Sequence, residues 1–211
     1  MKKTIFMLML VAVGLCASPT DASAQFDLSR ALNSLLGGGE ETTEPAKSPY
    51  TLMAESAPQP SKLTGVWLYN SAAVEYLGTN PLADVALSQL EGYALAELRG
   101  AGVVPGYFGL TLRRNGVAYL SHEDDIFEGR YTYTAADASV IIEATVNNIP
   151  MSLSGYIKQS GTRMEVLIDA ADAMALFQHL FPEYKTNSMV VSADSAIRTF
   201  GDIFIAVRFT R

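Results

Sequence analysis

The sequence predicts a mainly β fold with inserted helices, an eight-stranded antiparallel barrel or half-barrel. Three observations point there. Segments that alternate apolar and polar side chains recur over the last two-thirds of the chain, as in Ile203, Ile205, Val207 and Phe209 against Phe204, Ala206, Arg208 and Thr210. Short turn signals join these segments into successive hairpins. Each segment has one apolar face, so all of them can cover a common core. Antiparallel strands of this kind lose their edges when the last pairs with the first, and a sandwich is the competing arrangement.

The chain opens with a segment outside the fold. Lys2 and Lys3 precede an apolar run from Ile5 to Cys16, and Ala22-Ser23-Ala24 supplies small residues ahead of Gln25. That is the pattern of a secretory signal peptide over residues 1–24, with an apolar part too short for a membrane span. Cys16 raises the alternative of an acylated lipoprotein, but the residue before it, Leu15, is larger than such sites favour. Export places the mature protein in the periplasm or outside the cell.

Residues 25–62 read as a leader and flexible linker. Phe26, Leu28, Leu32, Leu35 and Leu36 approximate a helical period that Gly37-Gly38-Gly39 stops. A helix this short is marginal alone and would dock on a partner, a membrane or its own domain. From Glu40 to Lys62 the chain turns to Glu, Thr, Ser, Ala and Pro, too few apolar groups to offset ordering. A chain starting at Ser61 is therefore expected to be as stable as the mature protein.

The domain then runs over residues 63–211, long enough to bury roughly 68–70% of its unfolded surface. Its first strand, Leu63 to Tyr69, carries the only Trp, Trp67. A helix follows, with Asn80 as N-cap, Pro81 in its first turn and Asp84 near its positive end. Leu82, Ala86, Leu90 and Tyr93 share its apolar face, flanked by Leu87 and Ala94, and Gly100 and Gly102 end it. Hairpins come next. Phe108 to Arg113 and Val117 to Ser121 flank Asn115-Gly116, a strong turn signal. Gly129 to Thr134 pairs with Ser139 to Val146, and Ile149 to Lys158 with Thr162 to Asp169. Met174, Phe177, Leu180 and Phe181 then predict a helix capped by Asp169 or Asp172. Asn187 to Phe200 predicts another, before the last strand.

Composition narrows the chemistry. Removing Lys2, Lys3 and Asp21 from 15 basic and 22 acidic residues leaves a mature formal charge of −8, with the basic residues scattered. Nucleic acid and anionic lipid both need clustered positive charge. Cys16 is the only cysteine, so no internal disulfide forms and the core alone must hold the exported chain. His122-Glu123-Asp124-Asp125 is the densest ionisable cluster, but it lacks the ligand order and central Gly of a calcium loop and reads as a solvated turn. His122 and His179, the only histidines, are too far apart for a local zinc motif. No Gly-x-Ser-x-Gly is present. Nothing here calls for an enzyme, a metal or a cofactor.

Gly65-Val66-Trp67 on the first strand, followed by a β meander, resembles the Gly-x-Trp opening of lipocalins. The wider layout is similar to a lipocalin-like family of exported Bacteroidetes proteins of unknown function: signal peptide, Leu-rich leader ending in glycines, Gly-x-Trp strand, inserted helix, and late helices before a last strand. The resemblance implies a lipocalin-like barrel in which Gly65 and Trp67 are structural. It also implies an Arg near the last strand packed over the Trp, with Arg208 the first candidate and Arg211 the second. The inserted helix and the missing disulfide depart from typical lipocalins.

Two function classes follow. In the first, the barrel holds a small apolar ligand lined by Tyr69, Phe108, Leu110, Tyr119, Tyr131 and Leu153, the tyrosines acting as polar handles. In the second, the domain is a non-catalytic structural or protein-interaction module of the envelope with a filled core.

Overall fold

The computed structural model describes residues 48–80, 83, 87, 91, 92, 95, 99, 102–146, 149–180 and 182–211. Eight antiparallel strands close into a barrel: β1 (Gly65–Tyr76), β2 (Gly109–Leu112), β3 (Val117–His122), β4 (Asp125–Thr134), β5 (Ser139–Val146), β6 (Ile149–Ser160), β7 (Arg163–Asp169) and β8 (Ile203–Thr210). Each strand pairs with the next, and β8 returns to β1 with Tyr69 opposite Phe209 and Val74 opposite Ile205. Closure leaves no strand edge for another chain to extend.

β1 is longer than its alternation predicts. A bulge between Tyr69 and Ser71 shifts the register. Before it Trp67 and Tyr69 face inward, and after it Ala72, Val74 and Tyr76 join the same core. The extra residue resets which parity points in, so the strand continues where strict alternation ends. β4 likewise starts earlier, because Glu123 and Asp124 form a two-residue turn with Glu123 at φ 50° and Asp125 already opposite His122.

The end of the barrel at which β1 begins is closed by an interlock. Helix α2 (Pro60–Leu63) delivers Leu63, which is fully buried. Gly65 then turns the chain into β1 at φ +133°, a backbone conformation that side chains disfavour. Trp67 is also fully buried, and its indole N–H donates to the Leu63 carbonyl at 2.8 Å. The Arg211 guanidinium lies 4.3 Å over the Trp67 ring and donates to the Thr64 carbonyl. Arg211, not Arg208, therefore fills the role that the resemblance implied. Inward and outward residues alternate on β8, and the parity that buries Val207 and Phe209 sends Arg208 outside. There Arg208 bonds Glu165 at 2.6 Å and Glu75 at 3.0 Å.

Residues 48–62 are not a bare linker. Helix α1 (Pro49–Glu55) is N-capped by Ser48 and buries Met53 to 4% exposure. It packs on the outer face of the barrel, where Met53 meets a cluster with Ala73, Leu167, Phe204 and Ala206. The Tyr50 ring sits 5.6 Å from that of Tyr156, and its hydroxyl bonds the Asp202 carboxylate. The segment has few large apolar residues, but Tyr50 and Met53 meet an outer face that is itself apolar. The segments expected to be a signal peptide and a Leu-rich leader lie outside the described residues.

Helices gather at the opposite end. Ala83, Leu87, Glu91, Gly92, Leu95 and Arg99 are helical, with Ala83 and Leu87 buried. The face expected from Leu82, Ala86, Leu90 and Tyr93 lies outside the described residues. Helix α3 (Ala170–Leu180) is capped by Asp169, whose carboxylate accepts from the Ala171 and Asp172 amides. Asp172 instead accepts from the Ser154 amide, tying α3 to β6. A 3₁₀ turn (Pro182–Tyr184) leads into helix α4 (Ser188–Phe200). Met174, Phe177, Val190 and Ala193 from these helices share one apolar cluster with the barrel interior.

Two outcomes follow from this packing. Met53→Ala should lower stability by about 2–5 kcal/mol, the range for a buried Met truncation, read as a fall in denaturant midpoint at unchanged slope. This reverses the expectation that a chain starting at Ser61 loses nothing. Trp67→Ala should cost about 3–5 kcal/mol and Arg211→Ala less, about 0.5–2 kcal/mol for the cation–π contact. A double-mutant cycle should couple Trp67 with Arg211, whereas Arg208→Ala should add to Trp67→Ala within about 0.5 kcal/mol.

Candidate functional site: the barrel interior

Strand register assigns the inner face residue by residue. Trp67 lies opposite Leu110, Leu110 opposite Leu120, and Leu120 opposite Phe127, so these share the interior. Tyr131 lies opposite Ile142 and Ile142 opposite Leu153. Met164 opposite Phe209 completes the ring.

Of the residues expected to line a ligand, five face inward. Tyr69 is buried and stacks on Phe108 at 4.7 Å, and Phe108 meets Phe209 edge-on. Leu110 is half-buried, Leu153 is buried, and Tyr131 stands at the rim with its hydroxyl donating to the Arg113 carbonyl. Tyr119 does not belong with them. On β3, Ala118 and Leu120 are buried, so Tyr119 must point outward, where the Arg113 guanidinium lies 4.9 Å from its ring centre. The alternation on this strand set the small Ala118 inside and the large Tyr119 outside, against what size alone suggests.

The interior is unevenly filled. Along β6, β7 and β8 the inward side chains Ile157, Met164, Val166 and Ile203 are buried. Ile168 on β7 is half-buried, and Val140 on β5 is buried, but along β4 and β5 Phe127, Tyr131, Ile142 and Ala144 all face the same core and stay half-buried. In a filled barrel these positions would be sealed. Phe127, Ile142 and Ala144 went unnoticed in the sequence, although the period-two pattern Phe127, Gly129, Tyr131, Tyr133 marks one face of β4.

His122 is the other inward residue that the sequence misplaced. Its neighbours Glu123 and Asp124 are exposed, but His122 itself is buried and packs 4.1 Å from the Tyr107 ring. The same alternation that buries Ala118 and Leu120 carries it inward. Among the described residues no three His, Cys, Asp or Glu are grouped to hold an ion. No helix among them is long and apolar enough to cross a membrane.

Burial raises the phenol pKa values of Tyr69 and Tyr131, and that of Tyr133 to about 12, with the Asp137 charge adding to the last. The fold thus favours the neutral phenols. Their contribution is present below the ordinary value near 10 and lost as pH rises from there through about 12. The denaturant midpoint should stay level as pH approaches about 10 and fall above it. Tyrosinate absorbance from these residues should appear together with unfolding rather than before it.

No curated protein and no solved structure matches this chain. A family model does match, over residues 44–210, described as a lipocalin-like domain (DUF4923). The match begins ahead of α1 and ends at the last residue of β8, spanning the whole closed barrel. The chain belongs to this lipocalin-like domain family.

Proposed function

We propose that the protein is exported and holds a small, largely apolar molecule inside its barrel. The observation that carries this reading is the half-buried inner wall of β4 and β5, where Phe127, Tyr131, Ile142 and Ala144 face the core without being sealed by it. Apolar and aromatic walls with a few polar groups are what small-molecule sites usually present. The signal-peptide pattern of residues 1–24 supports export, to the periplasm or beyond the cell.

One observation favours the other reading, an envelope interaction module with a filled core. Met174, Phe177, Val190 and Ala193 from α3 and α4 pack in the same cluster as the barrel interior and stopper the end away from Trp67. The two readings separate at Ala144, which is small, inward and half-buried. In a filled core Ala144→Phe overpacks and should cost about 1–3 kcal/mol. With free room on that wall, the midpoint should stay unchanged while uptake of the neutral dye Nile red falls. A destabilised variant, together with wild-type protein that takes up no dye, would sink the binding reading.

A further inference from the structure

The inner wall is not uniformly apolar, and its polar groups are of a particular kind. Most have protein partners. The Tyr131 hydroxyl donates to the Arg113 carbonyl, the Tyr133 hydroxyl to the Pro58 carbonyl, and the Tyr76 hydroxyl accepts from the Asn80 amide. Two side chains differ. Tyr69 and His122 are each only 6% exposed, and no described residue hydrogen-bonds the Tyr69 hydroxyl or the His122 ring nitrogens. Yet every fully buried polar side-chain atom among the described residues has a partner. The polar atoms of Tyr69 and His122 therefore keep some accessible surface on otherwise buried side chains.

Register places the two near each other. The Tyr69 amide donates to the Phe108 carbonyl, and Gly109 pairs with Ser121, so Tyr69, Phe108 and His122 follow one row across β1, β2 and β3. Asp125 continues that row opposite His122. Basic groups are placed elsewhere. Lys158 and Arg208 are held outside by Glu75 and Glu165, and Arg211 is engaged by Trp67 and Thr64. Among the described residues every Lys and Arg other than the ion-paired Lys158 is exposed, whereas Tyr69 and His122 are buried.

We infer that the barrel selects a neutral ligand with one hydroxyl or carbonyl group, hydrogen-bonded by Tyr69 and His122, and discriminates against carboxylates. The inference rests on the interior-binding reading and narrows its ligand class. A phenol and an imidazole supply donor and acceptor to a neutral oxygen. A carboxylate entering the same space would be desolvated with no cation to pair it, and with the Asp125 carboxylate in the same row.

The test uses the full mature chain and probes matched in body but not in charge: decanol with decanoate, and naphthalenemethanol with naphthoate, with decane as the apolar control. Each competes with Nile red at neutral pH. The alcohols should bind at least about tenfold more tightly than their carboxylates. Tyr69→Phe should weaken the alcohols about fivefold, the loss of one ordinary hydrogen bond, and leave decane unchanged. Because that hydroxyl has no partner among the described residues, the variant's denaturant midpoint should not fall. His122→Phe should also weaken the alcohols relative to decane. Carboxylates binding as well as alcohols, or alcohols indifferent to both substitutions, would overturn the polar-row inference while interior binding stood. If neither Nile red nor any probe binds the wild-type chain, the binding reading and this inference fall together.

Discussion

The barrel depends on the contact between Trp67 and its surroundings at the closed end. One indole joins three parts of the chain far apart in sequence. Its N–H holds the Leu63 carbonyl that ends α2, its body fills the start of β1, and its face carries Arg211 from beyond β8. A single side chain thus fixes where the first strand starts and where the last one ends. The flanking Gly65 is explained by the same contact, since the turn that brings Leu63 under the ring needs φ +133°. The Gly-x-Trp pattern is a mechanical unit rather than a signature to be matched.

Once β1 and β8 are fixed to each other, closure dictates the facing of every strand between them. The cost of a misplaced parity is visible on the outside. Arg208, Glu165, Glu75 and Lys158 form one charged group across β8, β7, β1 and β6, with Lys158 2.8 Å from Glu75 and 3.4 Å from Glu165. Burial pushes the Glu75 carboxyl up, but Lys158, with Glu165 and Arg208, outweighs that and holds it below the ordinary range. Exposed ion pairs contribute little singly. Here their value is in register: a one-residue slip of any of these strands would turn its charge into the core and away from its partners. Gly155 adds a steric constraint at the same wall, because a Cβ there would collide with the Leu167 carbonyl oxygen.

What was legible in the sequence was whatever depends on period and punctuation. The strand count, the hairpins around Asn115-Gly116 and Gly161, and the closing strand all rest on alternation and turns, and the structure has them. Three things were hidden. The bulge after Tyr69 is one residue in a stretch of Asn, Ser and Ala, weak strand formers that give no alternation to interrupt. The docking of α1 depends on Phe204 and Ala206 being apolar on an outer face, which reads from sequence as an outward strand face and not as a contact. The choice between Arg208 and Arg211 depended on whether the partner of Trp67 lay on the strand or beyond its end. Only the parity of β8, fixed by Phe209, decides it. The candidate site suffered similarly: His122 was hidden by the acidic turn beside it, and Tyr119 was promoted by its size.

The two halves of the barrel are held to different degrees, and this asymmetry connects the fold with its interior. The wall of β6, β7, β8 and β1 is supported on both sides. Outside, α1 covers Leu167, Phe204 and Ala206; inside, α3 packs against β6, β7 and β8. The wall of β4 and β5 is covered more thinly. Its outward residues Ile126, Glu128, Arg130 and Ile141 are exposed, and of its inward ones Val140 is buried while Phe127, Tyr131, Ile142 and Ala144 are half-buried. Local opening costs least where apolar contacts are fewest, so β4 and β5 are the wall that yields first.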